Sequence, residues 1–454
     1  MYVAYVTEDV FDEAIERRPP PRRWQVTLRD LTVPLMVMVY VLYVPLGPDM
    51  IYNQFVRGPG GGQALEKIWG LARNVGFLTL TPLFLLTRSA FSRWLRCWPV
   101  FPFTLLSLAS ITWSPYPKDS WHECQNLIGI VVWMSCLASW NGLAEFVRSL
   151  HKISASIMIL SVLVAVFVPR IGVHHATDVL EPIHAGRWRG IFLHKNVLGE
   201  FSALAFVFAF RSLKKETPAW RAFFRAGSVS MVLCLVMARS GNSIVGLVGV
   251  GVFILLMRNR VTAHPLSLAF VALLAVLLYQ GLSVTPAELL ALIGKDPTFT
   301  GRTQIWALGW PMMQQHLLFG TGLSTETQIF GAIAKDSLFE SAVDLHNSYL
   351  DIMFNLGIVG AACFLFLYIA AMVRGYTFAQ SAGGEDREAA IILMGLIVLA
   401  SIQATGETSP FRILGDGAAA FWSAVPALFQ AGRTLTDERG AGDREGLGHP
   451  AAAG

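Results

Sequence analysis

The chain alternates between long apolar stretches and short polar ones. Apolar runs fall at about 31–46, 74–87, 98–113, 126–140, 153–169, 196–210, 223–238, 243–257, 265–283, 347–373, 389–404 and 411–429. Several are shorter than a full bilayer span of about 20 residues. Together they predict an all-α polytopic membrane protein with about 12 transmembrane helices. An even number of crossings puts both termini on one side.

The polar connections give the orientation. With the N-terminus inside, the inner segments hold Arg88, Arg93 and Arg96, then Arg148 and Lys152. They continue with Arg211, Lys214, Lys215, Arg221 and Arg225, then Arg258 and Arg260, and finally Arg374 and Arg387. Counting both tails, about 22 of the 35 basic residues lie inside, although the inner loops are the shorter ones. The expected location is the bacterial inner (cytoplasmic) membrane, with both termini cytoplasmic.

Two outer connections are long, and long loops are usually functional. One runs near 170–195. The other, 284–345, contains PAELLALIG, TQIWALGWPMMQQHLLFG and SLFESAVDLHNSYL, which read as amphipathic helical pieces punctuated by Gly301, Pro311, Gly320 and Gly322. The predicted organisation is a cytoplasmic tail at 1–30 and helices 1–9 at 31–283. A large helical periplasmic loop follows at 284–345, then helices 10–12 at 346–430 and a disordered cytoplasmic tail at 431–454.

Composition sharpens this picture. Of 454 residues, 54% are hydrophobic and only 15% are charged, against about 25% charged in soluble domains. The net charge of +4 is spread among loops, so nucleic-acid binding is a poor reading. No cleavable signal peptide is expected, because Asp9, Asp12, Glu13 and Glu16 precede the Arg and Pro run and no apolar stretch begins before Leu31. Of the five cysteines, Cys136, Cys234 and Cys363 fall in apolar runs, Cys97 borders a basic loop, and Cys124 is placed in an outer loop. Disulfides are not expected to hold the fold.

The candidate chemistry lies in the long loops. GRTQIW at 301–306 is followed by FGTGL at 319–323 and by DLHNSYLDIMFNLGIVG from Asp344 to Gly360. An Arg before an amphipathic helix, a Gly-x-Gly turn, and His-Asn opening a helix that runs into Leu-Gly-Ile-x-Gly resembles the O-antigen ligase and O-antigen polymerase superfamily. GRWRGIFLHKNVLG, Gly186 to Gly199, resembles more narrowly its exopolysaccharide polymerase branch. The resemblance implies a GT-C-like fold and a metal-independent, inverting glycosyl transfer on the periplasmic face, with no cofactor. It implies a donor glycan on undecaprenyl pyrophosphate. The acceptor would be a sugar hydroxyl on another lipid-linked repeat or on lipid A core. Partners would include a chain-length regulator and an export complex.

The residues answer to that chemistry independently. Attack at an anomeric carbon needs a base on the acceptor hydroxyl, and histidine titrates near neutrality. His346, where a loop meets a membrane helix, is the candidate base. Its bland alternative is a polar helix-start residue satisfied by backbone. The departing pyrophosphate needs cations, and arginine forks match phosphate oxygens. Arg302 is the first candidate, with Arg187 and Arg189 on the other loop. For each the alternative is an interfacial arginine bound to lipid phosphate, and Trp188 between the pair reads as an aromatic belt residue.

His194 and Lys195 read equally as a phosphate or sugar contact and as a helix start capped by Asn196. Asn347 beside His346 is a further glycan contact. Glu200, costly near lipid unless paired, is expected to pair with Lys195, the alternative being to orient a sugar. The resemblance implies a basic residue after a Ser-rich turn where this chain has Ser243, and the candidate replacements are Arg239, reaching back, or Arg189. His174, His175, His184 and His194 lack metal-ligand spacing. GPGGGQ at 58–63 lacks the Lys-Ser/Thr ending of a phosphate loop.

The leading expectation is an exopolysaccharide polymerase, with an O-antigen ligase as the nearest enzyme alternative. A lipid-linked glycan transporter or flippase is the alternative of another class. The ionisable residues collect in outer loops instead of mid-membrane, and no internal repeat is evident, which favours surface chemistry over a transport path.

Overall fold

The computed structural model describes residues 34–35, 71, 74–82, 84–85, 90–176, 184–192, 194–259, 302–334, 344–407, 411–412 and 418–432. Among these there is no strand, only one isolated bridge between Val173 and Trp188. In chain order the helices are α1 (Ala90–Arg96), α2 (Phe101–Ser110), α3 (Pro117–Asn141), α4 (Leu143–Phe167), α5 (Lys195–Val207), α6 (Pro218–Ala238) and α7 (Gly241–Arg258). Then come α8 (Arg302–Gln315), α9 (Glu326–Ala334), α10 (Ser348–Ser381), α11 (Gly384–Gln403) and α12 (Ala418–Phe429). The apolar runs at 31–46 and 265–283, PAELLALIG and GPGGGQ lie largely or wholly outside the described residues.

Four described helices, α4, α6, α7 and α10, are long and apolar enough to cross a membrane. They also carry many of the exposed apolar side chains, among them Leu160, Val166, Val229, Val236, Val248, Leu255, Leu365 and Ile369. α3 and α11 are equally long but begin in charged turns, with Asp119 and Glu123 in one and Glu385, Asp386 and Glu388 in the other. Their apolar halves face protein: α3 is buried almost continuously from Leu127 to Trp140, and α11 from Ala389 to Leu396. A helix surrounded by other helices can keep serines, cysteines and small residues where a lipid-facing one needs aliphatic cover. Close approach is bought by glycine: Gly227 of α6 sits on Ala155 of α4, and Gly246 and Gly249 of α7 face Leu399 and Ile402 of α11.

The helices run alternately between two ends. At one end lie Ser110–Pro117, the described residues of 168–195, Ala238–Gly241, the described part of the large loop, and 404–407 with Phe411 and Arg412. At the other lie Asn141–Leu143, Phe208–Thr217, Arg258–Asn259, Ser381–Gly384 and Gln430–Gly432. The described basic residues of the segments expected on the inner side gather at one end, here called the Glu216 end, opposite the His346 end.

Two expectations are corrected. Cys124 is not in a loop: it is buried within α3, where Pro117 at the first helical position starts the helix nine residues before the apolar run begins. The run at 411–429 is not one helix either, since α12 begins at Ala418 and Phe411 and Arg412 form part of the preceding turn. All five cysteines are free.

Candidate active site at the His346 end

The large loop and the start of α10 are built around a break in a helix. Gly357 has φ +64°, inside what is otherwise one helix from Ser348 to Ser381. In an intact helix the amides of Ile358 and Val359 would bond the carbonyls of Phe354 and Asn355. Instead Ile358 N–H donates to Leu317 O (2.9 Å) and Val359 N–H to Leu318 O (3.2 Å). Thr321 N–H donates to Phe354 O (3.0 Å) and Gly322 N–H to Asn355 O (2.8 Å). The strip 317–322, which includes the Phe-Gly-Thr-Gly turn, thus supplies two carbonyls and two amides in place of the missing helical turn. A Cβ on Gly357 would collide with the backbone of Leu318, and one on Gly320 with that of Asn355, so both positions need glycine.

The same contact organises the rest of the loop. Asn355 Oδ1 accepts from the amides of Thr325 (3.0 Å) and Glu326 (3.3 Å) at the start of α9. Leu323 N–H donates to Ser110 Oγ, and Ser120 Oγ donates to Leu323 O (2.6 Å), tying the loop to α2 and α3. Trp306 Nε1 of α8 donates to Leu345 O (2.9 Å), beside His346. Arg302 is the first residue of α8, one turn before Trp306.

His346 stands at the centre of this end. Its backbone is left-handed, φ 48°, a conformation costing a non-glycine residue about 1–2 kcal/mol. The turn is held by the carboxylate two residues earlier: Asp344 Oδ1 accepts from His346 N (2.9 Å) and lies 3.2 Å from His346 Nδ1. The His346 side chain is 36% exposed, Asp344 only 11%, so an open imidazole is backed by a nearly buried carboxylate. Behind that pair, Arg412 Nη2 lies 2.6 Å from Glu326 Oε1, 3.8 Å from Asp344 Oδ2 and 3.0 Å from Thr327 Oγ1. Burial works against the charge on Arg412, but Glu326, Asp344 and Asp351 outweigh it and raise its pKa further. A cavity of about 40 Å³ adjoins, lined in part by Glu123, Glu326, Asp351 and Arg412. It has room for a few waters but not for a sugar.

Asn347 caps α10, its Oδ1 accepting from Tyr349 N (3.0 Å) and Leu350 N (3.2 Å) while its Nδ2 donates to Thr405 O. Ser348 donates through both N and Oγ to Glu407 O. The Glu407 carboxylate in turn accepts from Asn196 Nδ2 (3.3 Å) of the other long loop. The turn 404–407 therefore joins the two loops that carry the candidate residues, and Asn242 Nδ2 adds the start of α7 through Gln403 O.

On the second loop the helix start differs from expectation. The cap of α5 is His194, not Asn196: His194 Nδ1 accepts from Asn196 N (3.1 Å), and Asn196 is already helical. An imidazole lone pair performs the task expected of a side-chain oxygen. Lys195 is buried, with Nζ donating to Asn196 Oδ1 (2.7 Å). Glu200, also buried, offers its carbonyl to Gln403 Nε2. Arg189 is buried with Nε on Ile171 O (2.7 Å), whereas Arg187 is half-buried. Arg239 ends α6 in a left-handed conformation and is exposed.

The rings of His174, His184 and His194 cluster with centroids 5.2–5.8 Å apart. His174 Nε2 accepts the Lys195 amide and His194 Nδ1 the Asn196 amide, which commits two lone pairs to backbone. No group of three or more His, Cys, Asp or Glu among the described residues is arranged to hold a metal ion.

Asp344, Arg412 and Glu407 were not singled out in the sequence. Asp-x-His is a faint local signal for the first. Arg412 was hidden inside an apolar run, and its partner Glu326 lies 86 positions earlier.

The apolar outer helices, with charged residues gathered at the two ends of the bundle, define a helical membrane protein. Residues 226–365 match the family model described as O-antigen ligase. The chain is also similar to the exopolysaccharide production protein ExoQ of Rhizobium meliloti (strain 1021), 24% identical over 328 residues that cover 68% of this chain and 71% of that protein. The two matches agree with the motifs and support the O-antigen ligase and polymerase superfamily for this chain. The family match contains Arg239, Arg302, His346 and the Gly357 break, while Arg187, Arg189, His194, Lys195 and Arg412 lie outside it.

Proposed function

We propose that the chain transfers a glycan from an undecaprenyl-pyrophosphate carrier to a sugar hydroxyl on the periplasmic face of the inner membrane, joining exopolysaccharide or O-antigen repeat units. The observation that carries this reading is the Asp344–His346 pair, an open imidazole oriented by a shielded carboxylate. With Nδ1 turned to Asp344, Nε2 takes the proton of the acceptor hydroxyl. The acceptor oxygen attacks the anomeric carbon, the bond from that carbon to the pyrophosphate oxygen breaks, and configuration inverts. Asp344 stabilises the imidazolium that forms. Arg412, bound to Glu326, faces the second oxygen of Asp344 at 3.8 Å.

The pyrophosphate is assigned to Arg302, with Arg187, Arg239, Lys195 and His194 on the neighbouring elements and Arg189 as scaffold. Charge on the leaving group is then neutralised by guanidinium groups, without a metal. The clustering of basic segments at the opposite end supports the periplasmic placement. Chain-length regulators and export proteins remain the expected partners.

The ligase reading is favoured by the description of the family that residues 226–365 match; it keeps the same donor and directs the glycan to lipid A core. The deciding experiment compares surface polysaccharide in a strain lacking this gene with strains complemented by wild type or by His346→Ala. Single lipid-linked repeats in the deletion, with long chains restored by wild type alone, support the polymerase. Long chains that stay on the carrier lipid identify a ligase instead.

A further inference from the structure

The Glu216 end contains a cavity of about 370 Å³ between the turn after α5 and the junction of α7 with α11, within the size range of small-ligand sites. We propose that it binds the phosphate of an anionic membrane-lipid headgroup; this does not rest on the glycosyl-transfer reading. Its charged lining comprises Lys214, Lys215, Arg258, Arg387, Glu385 and Glu388. The carboxylate of Glu388 is already used, one oxygen by Arg258 Nη2 (3.1 Å) and the other by Ser212 N (2.9 Å). Arg387 is spent on helix ends, donating to Met257 O, Arg258 O and Ala379 O.

Two cations are left over. Lys214 is exposed and forms no ion pair among the described residues. Lys215 reaches Glu385 at 3.4 Å, but with the two side chains 80% and 44% exposed, a pairing that is worth little in water. Neighbouring ammonium groups with one weak counter-charge suit a phosphate diester.

The apolar surface beside the cavity says that the phosphate belongs to a lipid, while Ile254, Ile391 and Ile392 close the cavity's inner side as buried side chains. Val245, Val248, Val252 and Leu255 form an exposed apolar stripe along α7 that leads to this cavity. An acyl chain lying along that stripe brings its headgroup to Lys214 and Lys215, and basic pockets between membrane helices hold acidic headgroups in this way.

The test uses the full-length purified protein in detergent, titrated by native mass spectrometry with phosphatidylglycerol, phosphatidylcholine or inorganic phosphate. Wild type retains phosphatidylglycerol in preference to phosphatidylcholine. The double substitution Lys214→Gln and Lys215→Gln weakens phosphatidylglycerol retention about thirtyfold, and Lys214→Arg with Lys215→Arg restores it. Both positions are exposed, so loss of fold is not expected, and an unchanged thermal transition in detergent checks it. Equal retention by wild type and the glutamine variant overturns the site. Displacement of the lipid by an equal concentration of inorganic phosphate overturns the lipid and leaves a free-phosphate site.

Discussion

The two ends of the bundle use charge in opposite ways. At the Glu216 end most charges are closed on one another. Arg148 grips Glu216 with two parallel bonds, Nε to Oε1 (2.9 Å) and Nη2 to Oε2 (2.8 Å), while Arg211 takes Oε1 from the other side (2.9 Å). Arg374 and Arg387 cap helix ends through carbonyls. At the His346 end the charges form an open chain, Glu326 to Arg412 to Asp344 to His346, whose last member faces solvent. That end also carries left-handed non-glycine residues at Arg239, Ser324 and His346, whereas none is described at the other. Closed pairs on relaxed backbone stabilise; an open chain on strained backbone is the arrangement that the proposed general base requires. Counting arginines along the chain does not separate the two.

Breaking the open end has the largest expected effect. His346→Ala lowers glycan transfer by about a thousandfold while leaving inserted protein abundant, measured by product size alongside membrane protein level. Normal product from that variant removes the proposed base. Arg302→Lys keeps the charge but loses the fork, and a loss of about a hundredfold is expected in the same assay. Full activity there moves the pyrophosphate site elsewhere.

Gly357→Ala attacks the scaffold that holds the large loop at the His346 end. It forces a side chain into a left-handed position against the Leu318 backbone, and thermal unfolding in detergent is expected to show a loss of about 2 kcal/mol or more. The smallest effect belongs to the closed end. Glu216→Gln removes the shared partner of Arg148 and Arg211 and is expected to cost about 1–3 kcal/mol of stability at neutral pH, with transfer per folded molecule unchanged.

That last effect depends on pH. Burial raises the Glu216 carboxyl, but hydrogen bonds and charge from Arg148 and Arg211 outweigh it and hold its pKa below the usual carboxylate range. The stabilisation is therefore complete above the unfolded value near about 4.3 and fades as pH falls through the lower folded value. Thermal scans of wild type and Glu216→Gln converge in acid and diverge toward neutrality; a constant gap argues against an ionic origin.

Several helices were readable because hydropathy is a property of contiguous residues. The helices α5, α6, α7, α10 and α11 begin within a few residues of their apolar runs. Starts governed by local chemistry were harder: Pro117 sets α3 far upstream of its run, and His194 caps α5 through a ring nitrogen where an asparagine oxygen was expected. For the site, His346 and Asn347 were visible as residue types at a loop–helix junction. Arg412 was not, because its meaning comes from Glu326 and Asp344, far away in the chain. The Gly-x-Gly turn and the Leu-Gly-Ile-x-Gly segment were each recognisable, but that one mends the other is visible only when they are brought together.

That repair constrains how the protein is made. A helix interrupted at Gly357 presents two amides and two carbonyls that lipid cannot satisfy. The strip that satisfies them, residues 317–322, leaves the ribosome some thirty-five residues ahead of the gap. The patch thus exists before the hole it covers. A circular permutant that moves this strip behind the gap would have to insert α10 with its break uncovered, so the order of segments in this polypeptide is itself part of the instructions for assembly.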